Sequence, residues 1–324
     1  MSSPARVLVV GDANPDLVLR GDVVPRFGQA EQLLEAADLV LGGSAAIAAC
    51  GLARLGVPVA LAAVVGDDLF GHETLRLLGE AGVDVSTVTT RVGEATGLSV
   101  HLAVPGDRAI LTLPGTIPAI DADAVRAAVR TVAPQRVHVA SPYLTPAITA
   151  GLPGLLREWR AAGIGTSLDP NWDPAGEWSA LAEALPLVDV LLPNAAELGE
   201  LSRVSDTRVL QHGAAGQGVP VARHGAAELE SRPHLVVKAG ADGGWSLSPD
   251  GVRTEASGLP LETIVDTTGA GDTFDAGYLA ALAHGVADES ERLRWAAVAG
   301  SLSTRAAGGT AGQPTLDELR AALG

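Results

Sequence analysis

The chain has 324 residues, 47% apolar and 19% charged, a composition that provides a buried core and excludes wholesale disorder. Only 3% of the residues are aromatic, so we expect a core built mainly from Ala, Val and Leu. Acidic residues outnumber basic residues by 38 to 22, and the formal charge of -16 argues against nucleic acid or an anionic membrane as a partner.

We expect neither an export signal nor a membrane-spanning segment. Its one cysteine, Cys50, excludes an intramolecular disulfide and a cysteine-based metal cluster within one chain. The apolar run VLVVG near the start is too short for a signal peptide. The longest stretch without Asp, Glu, Lys or Arg, residues 137–156, contains three prolines and is a poor candidate for a membrane span. We expect a soluble, cytoplasmic protein.

The first half of the chain alternates apolar runs with turn-forming residues. ARVLVVG predicts a buried strand, and LVLRG predicts its continuation or its partner. Residues 42–55 predict a glycine turn and a helix of small residues, and residues 57–83 predict a strand, a turn and an amphipathic helix ending at Gly82. Two alternating runs around the PGD sequence at 105–107 predict a β-hairpin.

The second half predicts an alternation of strands and helices. Four buried strands are indicated by RVHVAS, GIGTSLDP, VDVLLPN and HLVVKAG, and such continuous apolar runs are typical of a parallel sheet covered on both faces. The polar, Gly-rich residues 202–232 predict helical turns. Two further helices are predicted, one after Asp272 and one over residues 291–305.

Several common chemistries are excluded by missing motifs. Lys238 is the one lysine and is followed by Ala239, so no P-loop of the GxxxxGK[ST] type exists. The histidines show no HExxH spacing, and no G-x-S-x-G elbow is present. The first strand ends in Gly11-Asp12 without a following GxGxxG, which disfavours a dinucleotide-binding Rossmann unit.

The most informative segment is VDTTGAGDTFDAG, residues 265–277. Gly269, Ala270 and Gly271 place backbone N–H groups at a predicted helix start, where the helix dipole favours an anion such as a phosphate. Asp272 beside them can accept a proton from a substrate hydroxyl. A tight turn with Asp as a helix cap is the structural alternative.

The phrase DTTGAGDTFDAG resembles the C-terminal signature of the ribokinase-like sugar kinases, also called carbohydrate kinases of the phosphofructokinase-B type. The resemblance extends over essentially the whole chain. It implies one three-layer α/β/α domain over residues 1–324, with a mostly parallel central sheet and a small β-strand lid from about residues 12–41 and 93–118. It also implies ATP-dependent phosphorylation of a primary hydroxyl on a sugar, with Asp272 as general base and the N–H groups of Gly269, Ala270 and Gly271 stabilising the transferred charge.

Two segments resemble the family's substrate-binding elements. Residues 11–16 match the N-terminal segment, which implies that Asn14 and Asp16 bind sugar hydroxyls; the alternative is an Asx-turn. GGSAA at 42–46 matches the first glycine signature, which implies backbone contact with the ligand at Gly43. Members commonly carry an Asn near Ile47 or Ala46, and this sequence has apolar residues there, so one polar contact to the substrate is missing or is supplied from elsewhere.

Two other segments resemble the nucleotide and metal elements. Asn194-Ala-Ala-Glu197 matches the Asn-x-x-Glu element, which implies phosphate placement by Asn194 and Mg²⁺ held by Glu197 through water; a helix cap is the alternative. The run from Lys238 to Gly244 resembles the glycine loop along ATP, which implies nucleotide contacts at Lys238, Gly240 and Gly243. An ordinary hairpin explains the same run.

The resemblance carries two further expectations about ligands. Asp266 and Thr268, with carbonyls at 306–309, match the position where some members hold a monovalent cation such as K⁺. Asp169-Pro-Asn171 resembles a DPN element that is usually followed by an Arg two residues after the Asn. Asp173 occupies that place here and argues against an anionic sugar-acid substrate.

Two alternative functions and one assembly remain open. A nucleoside kinase of the same family would need an apolar base pocket, to which Phe27, Ile47 and Tyr143 could contribute. A non-catalytic sugar- or nucleotide-binding protein on this fold would be stabilised by a sugar without forming ADP. The resemblance also implies a homodimer formed through the lid.

Overall fold

The computed structural model describes residues 7–29, 31–104, 107–205 and 233–324. Its centre is an eight-stranded sheet. In spatial order the strands are β4 (Val59–Ala62), β1 (Val7–Val10), β9 (Arg136–Ala140), β10 (Gly165–Asp169), β11 (Val190–Leu191), β12 (His234–Lys238), β13 (Gly244–Leu247) and β14 (Arg253–Ala256). The strands from β4 to β12 are parallel, whereas β13 and β14 are antiparallel. The mostly parallel sheet and the four strands predicted in the second half are confirmed.

Helices cover both faces of this sheet. They are α1 (Ser44–Arg54), α2 (Leu69–Glu80), α3 (Ala122–Val132), α4 (Pro146–Ala161), α5 (Ala195–Val204), α6 (Ala270–Ala283), α7 (Glu289–Ser303) and α8 (Leu316–Leu323). Because successive side chains of a strand point to opposite faces, Leu8 and Val10 of β1 pack with α3 and α4, whereas Val7 and Val9 pack with α1 and α6. The predicted three layers are therefore present.

Small residues bring α6 close to its neighbouring helices. A Cβ placed on Gly51 of α1 would lie 2.7 Å from the Cβ of Ala276 on α6. A Cβ on Gly277 of α6 would lie 2.8 Å from the carbonyl oxygen of Trp295 on α7. Helix axes approach as the contacting side chains become smaller. The two glycines therefore allow α6 to lie tightly between α1 and α7.

A second sheet has four strands, in the order β3 (Leu34–Gly42), β2 (Asn14–Gly21), β7 (Leu98–Val104) and β8 (Asp107–Leu113). These strands lie within or at the edge of the two segments expected to form a lid. The antiparallel pairing of β7 with β8 confirms the predicted hairpin, although turn residues 105–106 lie outside the described residues. Two shorter strands, β5 (Val64–Gly66) and β6 (Thr89–Arg91), pair in parallel.

The prediction that LVLRG continues or pairs with the first strand was wrong. This segment belongs to β2, which pairs with β3 and β7 in the second sheet. The chain leaves the main sheet at Asp12, whose carboxylate accepts hydrogen bonds from the backbone N–H groups of Ser44 at 3.2 Å and Ala45 at 3.0 Å. These bonds to the start of α1 direct the following residues away from β1.

The helix predictions are confirmed with small changes at their ends. Helix α1 follows the glycine pair, and α2 is followed by Gly82, whose φ of 87° is the left-handed conformation that glycine adopts readily. Helix α6 begins two residues before Asp272, and α7 begins at Glu289, after its cap Asp288. Most of the turns predicted over 202–232 lie outside the described residues. Within the described part of the chain, no helix is both long and apolar enough to cross a membrane.

Candidate active site

The carboxyl ends of the parallel strands meet the start of α6. Asp272 lies in the first turn of this helix and is buried. The N–H groups of Gly271 and Asp272 have no intrahelical acceptor because they lie in the first turn, and no side chain caps this helix. The N–H group of Ala270 instead donates to the carbonyl of Thr267 at 3.2 Å. Of the predicted anion-binding groups, Ala270 is therefore engaged within the turn.

Burial raises the pKa of the Asp272 carboxyl from its ordinary value of 3.8 to about 7. The negative charges of Asp169 and Asp12 act in the same direction. The ammonium of Lys238 and a hydrogen bond from the Ser44 side chain oppose them. Asp272 is therefore partly ionised near neutral pH, which is the range in which a general base combines charge with proton affinity.

A chain of hydrogen bonds joins the end of β10 to the start of α1. Asn171 Nδ2 donates to Asp169 Oδ2 and to Ser44 Oγ, both at 3.1 Å. Asn171 Oδ1 accepts from the backbone N–H of Ser141 at 2.7 Å. Asn171 is thus held from three sides and connects Asp169 with the hydroxyl beside Asp272.

Lys238 leaves the end of β12 and enters the same cluster. Its Nζ lies 2.7 Å from Asp169 Oδ2 and 3.1 Å from Asp275 Oδ2, and its side chain is 10% exposed. Burial lowers the pKa of Lys238, but the two carboxylates outweigh burial and raise it. The phosphate contact expected of Lys238 stays a prediction, because the ammonium is bonded to two carboxyl groups here.

The residues after Lys238 form both a loop and a hairpin. A short 3₁₀ turn over Gly240–Asp242 connects β12 with the antiparallel β13. Gly240 has a φ of 61° with open space around its missing Cβ, whereas a Cβ on Gly243 would lie 2.2 Å from the carbonyl oxygen of Ala256. Close packing against Ala256 is sufficient to explain a glycine at position 243. The nucleotide contacts expected of Gly240 and Gly243 therefore stay predictions.

Asn194 and Glu197 form a capping box at the start of α5. The backbone N–H of Asn194 donates to Glu197 Oε2 at 2.8 Å, and the backbone N–H of Glu197 donates to Asn194 Oδ1 at 2.9 Å. Burial raises the pKa of Glu197 to about 7, with the charge of Asp169 acting in the same direction. The helix cap, which was the structural alternative, is therefore present. Glu197 also lies close enough to Asp169 for that charge to raise its pKa.

Asn14 and Asp16 lie on β2 and face buried polar groups of β7. Asn14 Nδ2 donates to Asp16 Oδ1 at 3.0 Å, and His101 Nε2 lies 3.2 Å from Asp16 Oδ2. All three side chains are buried, and a Cβ on Gly42 would overlap the Asp16 carboxylate. The Asx-turn alternative is wrong, because both residues belong to a regular strand that pairs on each side.

Gly43 caps α1 with a φ of 84°, and a Cβ there would lie 2.9 Å from the carbonyl oxygen of Asp12. Ile47, one turn further, packs against the backbone of Gly269 and Gly309. The first glycine signature, residues 42–46, therefore joins residues 11–16 to the start of α6 at Asp272. Ile47 belongs to this junction, which explains an apolar residue at that position.

The residues expected to hold a monovalent cation lie next to one another. Asp266 Oδ1 accepts from the backbone N–H of Thr268 at 2.9 Å and from its hydroxyl at 2.8 Å. Asp266 Oδ2 accepts from the backbone N–H of Gly308 at 2.9 Å. The segment at 306–309 thus adjoins Asp266, while cation binding stays a prediction.

Comparison with known proteins identifies the family. A sequence model described as "pfkB family carbohydrate kinase" matches residues 4–316. The chain is 28% identical to a ribokinase of Arabidopsis thaliana, covering 95% of this chain and 78% of that one. It is 32% identical to an ATP-dependent ribose-1-phosphate kinase of Halopiger xanaduensis, covering 98% of each.

The chain belongs to the pfkB family of carbohydrate kinases. It is therefore an ATP-dependent phosphotransferase with an alcohol group as acceptor. Its fold is similar to the structure of Arabidopsis thaliana ribokinase complexed with ribose and ATP, with a TM-score of 0.78, 24% identity and 99% coverage of both chains. The ribokinase-like fold predicted from the GAGD segment is confirmed.

Five residues around the site of this kinase were not predicted to contribute to it. Asp12, Ser44, Asp275 and His101 were not singled out, and Asn171 was noted without its contacts. Asp275 alone had a local signal, because it lies one turn after Asp272 on the same helix. The others come from separate strands and loops, so only the fold brings them together.

The two glycines of the GAGD segment should respond differently to alanine. Gly269 has a φ of 71° and its Cβ would lie 2.7 Å from the carbonyl oxygen of Gly309, so Gly269→Ala should lower the melting temperature by several degrees. A Cβ on Gly271 would meet only the Lys238 side chain, at 3.5 Å or more. Gly271→Ala should keep the melting temperature and lower kcat/KM for ATP about tenfold or more, because a methyl group there would crowd a phosphate bound at the predicted anion site. Thermal melts and steady-state kinetics test this, and wild-type kinetics in Gly271→Ala would contradict it.

Proposed function

We propose that this kinase transfers the γ-phosphoryl group of ATP to a primary hydroxyl of a neutral sugar, with Asp272 as general base. The observation that carries the proposal is a buried carboxyl, with its pKa raised to about 7, in the first turn of an uncapped helix. Asp272 would take the proton of the attacking hydroxyl. The N–H groups of Gly271 and Asp272, with Gly269 before them, would stabilise charge on the transferring oxygens.

The residues at the start of α5 fit a bound Mg²⁺-nucleotide. Asn194 uses Oδ1 in the capping box, which leaves its Nδ2 for a phosphate oxygen, and one oxygen of Glu197 remains for a metal-bound water. Among the described residues no group of three or more His, Cys, Asp or Glu could hold a metal, which suits an ion that keeps several waters and binds substrate phosphates. Mg²⁺ would neutralise phosphate charge when bound. K⁺ at Asp266 and Thr268 belongs to the same proposal, and we place the reaction in the cytoplasm.

The acceptor would bind between β2 and the start of α1. Asp16 can accept hydrogen bonds from two neighbouring hydroxyls, and Asn14 and His101 hold its carboxylate in place. A neutral sugar is favoured over a sugar acid by Asp173, which stands where an Arg was expected. Its carboxylate accepts from the backbone N–H groups of Ala175, Glu177 and Trp178 at 2.8–2.9 Å and is thus fixed in its own loop.

The nucleoside alternative gains no support from its expected base-pocket residues. Phe27 is 98% exposed, whereas Tyr143 packs against Trp178 with ring centroids 5.4 Å apart. Ile47 lies at the junction of α1 with Gly269. These three side chains have different surroundings and do not supply a shared apolar wall.

Replacing the proposed base should stop turnover without unfolding the protein. Asp272→Asn should lower kcat about a hundredfold or more, because the amide cannot accept the hydroxyl proton. The folded carboxyl keeps its proton up to about pH 7, whereas an unfolded one loses it near pH 3.8, so stability falls as pH rises between these values. The variant should therefore melt at the same or a higher temperature than the wild type at pH 8.

An ADP-release assay with a panel of neutral sugars, sugar acids and nucleosides measures this effect, with Asp250→Asn on an exposed turn as the matched control. A kcat in Asp272→Asn equal to the wild type would remove Asp272 from the mechanism. Turnover of a nucleoside alone would replace the neutral-sugar acceptor.

Substitution at Asp16 should affect the acceptor and not the nucleotide. Asp16→Asn keeps the shape of the side chain but removes the charge that strengthens hydrogen bonds to hydroxyls. We expect KM for the sugar to rise about tenfold or more while KM for ATP stays within about twofold. Initial rates with each substrate varied in turn provide the test. An equal rise of both KM values would contradict a specific acceptor role.

The outer face of the four-stranded sheet supports the expected homodimer. Register places Leu39, Leu17, Val100 and Leu111 side by side across the four strands, because each is paired with the next. Leu39 is 43% exposed and Leu111 is 60% exposed. Burying such a face against a second copy would remove apolar surface from water.

A charge on this face should therefore separate the subunits. Leu111→Glu should shift the protein from dimer to monomer in light scattering after size-exclusion chromatography, because an unpaired carboxylate would be buried in the interface. Val252→Glu, at an exposed apolar residue on a turn of the main sheet, is the control. A wild-type protein that is monomeric at all concentrations would contradict the dimer.

A further inference from the structure

We propose that the buried ion pair of Lys238 and Asp169 positions Asp272 and determines the pH at which Asp272 can accept a proton. This inference rests on the proposed function of Asp272 as the base. The two residues act through Asp272, so they are positioning residues and not catalytic ones.

The first connection runs through Gly271. The Lys238 side chain passes beneath the start of α6, where a Cβ on Gly271 would lie 3.5 Å from its Cδ and 3.9 Å from its Nζ. No side chain separates the ammonium from the residue that precedes Asp272. Lys238 thus places a cation beside the helix start whose N–H groups are uncapped.

The second connection is a chain of hydrogen bonds. Asp169 Oδ2 accepts from Lys238 Nζ at 2.7 Å and from Asn171 Nδ2 at 3.1 Å. The same amide donates to Ser44 Oγ at 3.1 Å, and the Ser44 side chain lowers the pKa of the Asp272 carboxyl. The ion pair therefore reaches Asp272 both through space and through an ordered set of polar groups.

The charged and polar groups that act on Asp272 come from five places in the fold. Asp12 lies after β1, Ser44 begins α1, Asp169 ends β10, Lys238 ends β12, and Asp275 follows on α6 itself. Burial and the charges of Asp169 and Asp12 raise the pKa of Asp272, whereas Lys238 lowers it. Loss of the ammonium should therefore keep the proton on Asp272 to higher pH, and loss of the Asp169 charge should release it at lower pH.

Neither stability nor a phosphate contact explains this arrangement as well. A buried ion pair is weak evidence for stability, because desolvation offsets much of the attraction. Two of the three N–H donors of Lys238 are engaged by carboxyl groups at 2.7 and 3.1 Å, which leaves at most one for a phosphate. The compact ammonium fits between them, in a chain whose other basic side chains are all arginine.

The test compares Lys238→Met, Lys238→Arg and Asp169→Asn with the wild type. We would measure the pH dependence of kcat, KM for ATP, and the titration of the Asp272 carboxyl by ¹³C NMR, with its signal assigned through its loss in Asp272→Asn. Arg136→Met is the matched control, because it removes a half-buried cation from the start of β9, the end of the sheet away from the site.

The two charge changes should move the Asp272 midpoint in opposite directions. We expect Lys238→Met to raise it by about one pH unit and Asp169→Asn to lower it, with Lys238→Arg close to the wild type. In Lys238→Met, kcat should fall about tenfold at pH 6.5 and recover above pH 8.5, with KM for ATP within about threefold. Arg136→Met should leave the midpoint unchanged.

Several outcomes would overturn the proposal. An unchanged midpoint in both charge variants would do so, as would a rise in KM for ATP at every pH, which would indicate a phosphate contact. Should Lys238→Met not fold, Asp169→Asn decides by the direction of its shift. Because the NMR titration needs no turnover, its result stands even when an inactive wild type or an active Asp272→Asn variant removes the proposed function.

Discussion

The close approach of three helices is the constraint on which the site depends. Helix α6 reaches the carboxyl edge of the sheet between α1 and α7, and glycine or alanine at each crossing makes the distance short enough. A larger residue at Gly277 would meet the α7 backbone and displace the whole helix. Since Asp272 lies in the first turn of α6, the packing of its buried middle fixes the place of the proposed base.

This placement gathers negative charge in a small volume. Five carboxyl groups and one ammonium lie within electrostatic reach of one another: Asp12, Asp169, Glu197, Asp272, Asp275 and Lys238. Burial raises the pKa of four of these carboxyls; only at Asp169 does the ammonium outweigh burial and lower it. The site therefore carries less negative charge near neutral pH than its composition indicates, which reduces repulsion of a polyphosphate.

Local sequence patterns predicted the framework of the molecule well. The apolar runs of β9 to β12 and the small-residue helices were found because periodicity and glycine positions are local properties. The partner of β2 was not predicted, because the bonds from Ser44 and Ala45 to Asp12 join residues more than thirty positions apart. The predicted helix start and the resemblance together indicated Asp272, and the resemblance supplied Asn14, while the contacts of Lys238 and His101 depend on strands that meet only after folding.

The proposed sugar-binding residues lie on the second sheet, whereas the proposed base lies on α6, which packs against the main sheet, so one short segment must keep the two in register. Residues 11–16 do this: Gly11 lies against the carbonyl of Ala140 with no room for a Cβ, Asp12 binds the start of α1, and Asn14 and Asp16 begin the second sheet. The charge of Asp12 also acts on Asp272. A movement of the second sheet on substrate binding would be transmitted through Asp12 to the environment of the base. The segment proposed to bind the sugar therefore also contributes to the proton affinity of the group proposed to activate it.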